Sequence, residues 1–348
     1  MPINLLKIPD LIGALVVSEL EYSEIFLLSI CSHRSNILVK KAGIKVPKLE
    51  FRYEDSRVRY KIFEIGVVTD IQEWLPITSV LHVKKLDLKK IFTVKLGHGQ
   101  QADTNFYLWR EENGTFINRI KCAIEPMTVQ KALQNHINSI FHYSDSNQLI
   151  LSRKREKSLP NITNVKEMRI DYVTVDPQFL TNVLTTYPDI HTISVFSEIV
   201  GDVPNNSPFF QISNFFAGYP CGPDYLHNFF GRNLYLGNAT FTEQDLIQFL
   251  QKWISNEAYY NLETLTLETE NAINGDLIRQ TIEFEEYDPN EPEKRPDIFF
   301  VDIPLFGFTP QHYHLRDRRF VEIRRITDGK RAFLAVDLFD FNFLVQKN

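Results

Sequence analysis

Residues 2–41 read PINLLKIPDLIGALVVSELEYSEIFLLSICSHRSNILVKK, and 21 of these 40 positions are apolar, in a chain of 348 residues that is 43% apolar overall. The spacing predicts three short helices, over 9–20, 23–31 and 35–41. Pro9 stands in the first helical turn, where its missing N–H is no loss. In the first helix Leu11, Ile12, Leu15, Val16 and Leu20 form the expected core stripe, yet Val17 lies beside it and Leu5, Leu6 and Ile8 precede it. In the second, Ile25 and Leu28 face one way while Phe26, Leu27 and Ile30 face another. A helix that is apolar on more than one side is buried on more than one side. Three helices this short have too little surface to bury so much among themselves. Either a partner protein covers the excess, or the helices form an N-terminal cap on their own domain.

The stretch Leu5-Leu6-Lys7-Ile8-Pro9-Asp10-Leu11, followed by Glu24-Ile25-Phe26-Leu27-Leu28-Ser29-Ile30-Cys31-Ser32-His33-Arg34, resembles the F-box. It is similar in order and spacing to that motif's L-P-x-L opening and to its leucine-rich second and third helices. The resemblance implies docking on the Skp-type adapter of an SCF-type ubiquitin ligase, and through the adapter on a cullin. By position it assigns Leu5, Leu6, Ile8, Pro9, Leu11, Leu20, Ile25 and Leu28 to the adapter interface. The sequence departs from the family pattern with Ile8 before the proline, with His33 where a Lys is usual, and with Gly13 inside the first helix. Relative to Ala, that glycine costs a helix interior up to about 1 kcal/mol.

Composition narrows the remaining classes. The apolar content and 13% aromatic residues suffice for a sizeable core in two or three domains. Cys31, Cys122 and Cys221 are scattered without a C-x-x-C pair, as expected of thiols in a reducing compartment. The start of the chain lacks the order of a secretory signal, and no run reaches the roughly 18 apolar residues of a membrane span. The expectation is a cytoplasmic or nuclear protein without a membrane partner. Residues 1–150 hold 19 basic and 16 acidic side chains, whereas 151–348 hold 19 basic and 28 acidic, which makes nucleic acid an unfavourable partner for the C-terminal part. Basic runs at Lys84-Lys85 with Lys89-Lys90, at Arg153-Lys154-Arg155 and from Arg316 to Arg325 read as solvated faces.

After the opening helices the chain turns to strand. Val58 to Phe63 alternates, and Ile91 to Leu96 ends at Gly97. Asn113-Gly114 separates two alternating runs, Asn105 to Trp109 and Thr115 to Ile120, which is a hairpin signal. Val129, Ala132, Leu133, Ile137, Ile140 and Phe141 keep helical spacing and predict a helix over 128–141. Beyond it, short apolar strands centred near Ile150, Ile170, Ile193, Leu234 and Leu265 alternate with helical returns. One return starts at Asp176-Pro177, and another starts at a capping box read as Thr240 to Glu243. Such units bury one face against their neighbours, so an irregular leucine-rich-repeat-like stack of parallel strands is expected, with ordinary α/β layering as the alternative. Phe320 to Ile326 and Arg331 to Leu338, joined by Asp328-Gly329, predict a hairpin that closes the stack. Residues 197–230 read as an inserted loop and 283–295 as an acidic, flexible excursion.

The segment Phe230 to Leu236, the helix after it and Asn261 to Leu267 together resemble the F-box associated domain of type 2, whose place is C-terminal to an F-box. The full expectation is an α+β chain. Residues 2–45 are an F-box, 46–145 a β-rich region with one helix, and 146–346 a repeat-like target-binding domain closed by a β-hairpin. The inserted loop offers Phe209, Phe210, Phe215, Phe216, Tyr219 and Tyr225 either as target anchors or as a plug for the end of the stack.

No spacing suits catalysis: there is no G-x-S-x-G, G-x-x-x-x-G-K or H-E-x-x-H. His312 and His314 share one side of a strand without a third ligand in register, and Cys221 stands in a Pro-Gly turn without an evident base. The reading is a substrate-receptor subunit that makes no bond itself and needs no cofactor or metal. The alternative is a scaffold or binding protein acting outside a ligase.

Overall fold

The computed structural model describes residues 9–55, 61–69, 73–87, 92–96, 100–110, 116–123, 126–143, 146–152, 159–301 and 312–347. The chain is mixed α+β and divides into two compact units, Met1–Met168 and Arg169–Asn348. The expected segments 2–45 and 46–145 both fall within the first unit.

The first unit opens with α1 (Asp10–Ser18), α2 (Tyr22–Cys31) and α3 (His33–Ala42). Then follow β1 (Lys48–Asp55), β2 (Lys61–Val68), β3 (Trp74–His82), β4 (Phe92–Leu96), β5 (Gln100–Arg110), β6 (Phe116–Cys122), α4 (Pro126–Ile140), β7 (Asn147–Ser152) and β8 (Val165–Asp171), which straddles the division. The strand order is β8-β7-β1-β2-β3-β6-β5-β4. β1 is central, parallel to β7 and antiparallel to β2. Its residues Leu49, Phe51 and Tyr53 are buried at period two on one face, and Glu50 on the other face is buried as well. The expected β5–β6 hairpin forms, antiparallel, with Arg110 opposite Phe116. Its Asn113-Gly114 turn lies outside the described residues, as do Val58 to Tyr60, Ile91, Lys89-Lys90 and the Arg153 to Arg155 run.

The helix α2 packs against β3, β6 and α4, so the opening helices are built into this unit. Ile25 and Phe26 are both buried, and Phe26 meets His136 of α4 edge to face at 6.0 Å. Every apolar position that predicted α4 is buried.

The second unit continues with β9 (Thr174–Val175), α5 (Pro177–Thr186), β10 (Thr192–Val195), β11 (Glu198–Ile199), β12 (Asn214–Ala217), α6 (Pro223–His227), β13 (Asn233–Ala239), α7 (Glu243–Ile254), β14 (Thr264–Thr269) and α8 (Gly275–Arg279). It ends with β15 (Ile298–Phe300), β16 (His312–His314), β17 (Phe320–Arg324), β18 (Arg331–Val336) and β19 (Asp340–Val345). Strands β10, β12, β13 and β14 are parallel neighbours, so Ile193, Phe215, Leu234 and Leu265 stand side by side and are all buried. Residues 197–230 are therefore not an insertion. They contain β12, a full member of the stack, missed because it is only four residues long and flanked by Ser213 and Gly218.

One row on the opposite face is polar. Asn214 Nδ2 donates to Thr192 Oγ1 (2.8 Å), Asn233 Nδ2 to Asn214 Oδ1 (2.9 Å) and Thr264 Oγ1 to Asn233 Oδ1 (2.7 Å). This ladder satisfies each side chain with the equivalent one on the next strand, which fixes the register. The box that starts α7 pairs Thr242 with Asp245, two residues later than the one read from sequence.

The hairpin β17–β18 forms as expected, with Gly329 in the left-handed turn at φ 69°. It reaches the parallel strands only through β19, which runs antiparallel to β14 and was not foreseen. Residues 283–295 are pinned at their end: Arg295, 4% exposed, donates to the carbonyls of Glu285, Leu315 and Phe320. The expected flexible excursion is thus tied to the unit's core.

Candidate functional site

The helix α1 has two faces with opposite fates. Gly13 and Val17 point inward, and Gly13 lies so close to Leu38 of α3 that an added Cβ would come within 2.9 Å of its Cδ1. The glycine that lowers helix propensity is thus the residue that lets α1 and α3 approach. This close packing sets the helix rotation and turns the expected core stripe outward. Leu11 is 75% exposed, Ile12 51%, Leu15 61% and Val16 41%. Leu11 with Leu15, and Ile12 with Val16, are four residues apart and form two adjacent apolar rows. Ile37 on α3, 40% exposed, extends the apolar exposure to that helix. Asp10 and Lys41 form an ion pair between the start of α1 and the end of α3.

The residues assigned to the adapter interface separate accordingly. Pro9 and Leu11 are exposed, while Leu20 and Leu28 are half-buried. Ile25 is fully enclosed by the unit's own core and has no surface to offer. Leu5, Leu6 and Ile8 lie outside the described residues. Ile12, Leu15 and Val16, read from sequence as core, join Leu11 on the open face.

Beside α2 lies a cavity of about 540 Å³, lined by Ser29, Cys31, His33, Asn36, Lys40 and His136 among others. Ser29 Oγ is 2.7 Å from His136 Nε2 and donates to the carbonyl of Phe26 at 2.6 Å. A neutral imidazole that carries its proton on Nε2 satisfies both contacts. Burial, and then the charge of Lys40, push His136 down to about 4. The serine proton is thus committed to a backbone carbonyl, which is the wrong arrangement for a nucleophile and its base.

The aromatic residues offered as target anchors are core. Phe209, Phe210, Phe215, Phe216 and Tyr219 are buried and Tyr225 half-buried. Phe209 meets Phe215 at 4.7 Å, and Tyr225 packs on Phe210, Phe215 and Tyr219 at about 6 Å. They are core side chains around β12, which lies between β10 and β13, so they stand inside the row of strands and do not plug its end. Burial also raises the Cys221 thiol to about 12, so it is held as an unreactive thiol. His312 and His314 are exposed on β16. Among the described residues no three His, Cys, Asp or Glu are grouped to hold a metal ion, and no helix is long and apolar enough to cross a membrane.

No protein-family model, curated protein or solved structure matches this chain. The functional reading therefore rests on the exposed face of α1 and on the resemblance of the sequence around it.

Proposed function

We propose that this protein is a substrate-receptor subunit of an SCF-type ubiquitin ligase. On this reading its opening helices dock a Skp-type adapter, and through it a cullin, while the C-terminal unit holds a target protein. The observation that supports this reading is the open apolar face of α1, with Leu11, Ile12, Leu15 and Val16 in water although the other side of the helix is satisfied by α3. A contiguous apolar face on a folded chain marks an interaction surface, and the F-box resemblance names the partner.

The subunit makes no bond itself. It accelerates transfer by holding a target lysine at high effective concentration near the charged conjugating enzyme. An interface of standard size buries about 1,600 Å² in total, and its few apolar anchors each cost about 2 kcal/mol or more on truncation.

The test is co-expression with a Skp-type adapter. Leu11→Asp with Leu15→Asp should abolish co-purification and leave the melting temperature within a few degrees of wild type, since both side chains are already exposed. Retained adapter in that double variant would contradict the assignment. Ile25→Asp, by contrast, should unfold the first unit. A second reading, a scaffold that engages the adapter outside a ligase, makes the same contacts. Reconstituted transfer of ubiquitin to a bound target separates the two.

A further inference from the structure

The cavity beside α2 is lined by residues of α2, α3, α4 and β4, and none of those assigned to the adapter is among them. Its polar lining is one-sided. Lys40, His33, Asn36, Asn135 and His136 contribute to it, and among the described residues no carboxylate does. Lys41 is paired with Asp10, whereas its neighbour Lys40 has no ion pair among the described residues. The residues one turn to either side of Lys40, which are Asn36, Ile37, Gly43 and Ile44, are uncharged. The helix α3 also begins at this cavity. Its cap Ser32 takes the amide of Ser35 on its side chain and that of Asn36 on its carbonyl. The first two amides of the helix, those of His33 and Arg34, have no partner within it, and they form the positive end of its dipole. A free ammonium and a helix start together favour an anion.

His136 sets a second and opposite requirement. It is 4% exposed. Ser29 Oγ gives its proton to the carbonyl of Phe26, so it accepts from His136 Nε2. The neutral imidazole then presents Nδ1 as an acceptor, and among the described residues this nitrogen has no partner. Lys40 lies near enough for its charge to help keep the ring neutral. A ligand that satisfies this cavity therefore carries negative charge and acceptor oxygens, and also one O–H to donate. At neutral pH a carboxylate or a sulfate has no such proton. A hydrogen phosphate has both.

We propose that this cavity binds a hydrogen phosphate group, whose hydroxyl donates to His136 Nδ1 and whose other oxygens accept from Lys40 and Asn135. Charge-assisted bonds of this kind are the strong ones. At about 540 Å³ the cavity has room for more than the ion, so the group is either free phosphate or the end of a small organic phosphate. The excess of basic over acidic side chains in residues 1–150 favours the encounter. This site is independent of the adapter reading, so its test contains no adapter.

The experiment is isothermal titration calorimetry of the full chain at pH 6.5, in a buffer free of phosphate, with sodium phosphate, glycerol 3-phosphate and sodium sulfate. At that pH both phosphates keep a population with a P–OH, and sulfate has none. The better phosphate should bind at least tenfold more tightly than sulfate, and which of the two it is identifies the source. Lys40→Gln should weaken it at least tenfold and Asn135→Ala at least threefold. Both side chains are exposed, so the melting temperatures should stay within a few degrees of wild type. Lys84→Gln, an equal charge change at another exposed position of the first unit, should leave binding within twofold. Absence of binding by both phosphates, sulfate bound as tightly, undiminished binding in Lys40→Gln, or an equal loss in Lys84→Gln would each overturn the proposal. Should Lys40→Gln melt early, Asn135→Ala carries the test in its place.

Discussion

At the scale of single residues, His136 shows how burial becomes a pH dependence. Its imidazole is enclosed by Phe26, Ser29 and α4, and it stays neutral in the folded chain down to about pH 4. An unfolded histidine takes up its proton near pH 6.5. Between those values the unfolded state binds the proton that the folded state refuses, so stability rises with pH across that window and is lost as pH falls from about 6.5 to 4. The loss should reach up to about 3 kcal/mol. Urea midpoints measured from pH 7.5 to 4 should show this fall in the wild type and a flatter profile in His136→Gln. Equal slopes would mean that another group carries the titration. None of this was legible in the sequence, because His136 stands among apolar positions of an amphipathic helix and its serine partner lies 107 residues earlier.

At the scale of elements, periodicity was a good guide wherever one face is buried against the same unit. The spacing that predicts 128–141 gives α4, and the alternation around Asn113-Gly114 gives the β5–β6 hairpin. It misled on α1, where the outward and inward faces are both apolar and hydrophobicity alone cannot choose between them. Gly13 was the deciding signal, read as a defect when it is a close approach. Among the strands missed, two show different reasons. β1 hides its alternation of Leu49, Phe51 and Tyr53 among charged neighbours, and β12 is too short for any window. The Asn–Thr ladder could have exposed β12, since Asn214 and Asn233 hold equivalent positions in successive strands. Asn233→Ala removes the central rung and takes the partner of Thr264 Oγ1 and of Asn214 Oδ1, while Asn214 Nδ2 keeps Thr192. Loss of about 2 kcal/mol or more is expected, read as a drop in the unfolding midpoint of the second unit. A change below 0.5 kcal/mol would show that water replaces the rung at no cost.

At the scale of the whole molecule, the proposed adapter role rests on one surface, the exposed apolar face of α1. The apolar rows of α1 fit a folded apolar partner, whose affinity derives from area removed from water. The proposal predicts that adapter binding changes little between 50 and 500 mM salt. The most direct measurement is isothermal titration calorimetry of the purified full chain against a purified Skp-type adapter, for the wild type and for Leu11→Asp with Leu15→Asp. The account predicts a micromolar or tighter complex with a negative heat-capacity change, weakened more than a hundredfold by the double substitution. No heat of binding to the wild type, or an affinity that the substitutions leave intact, would contradict it.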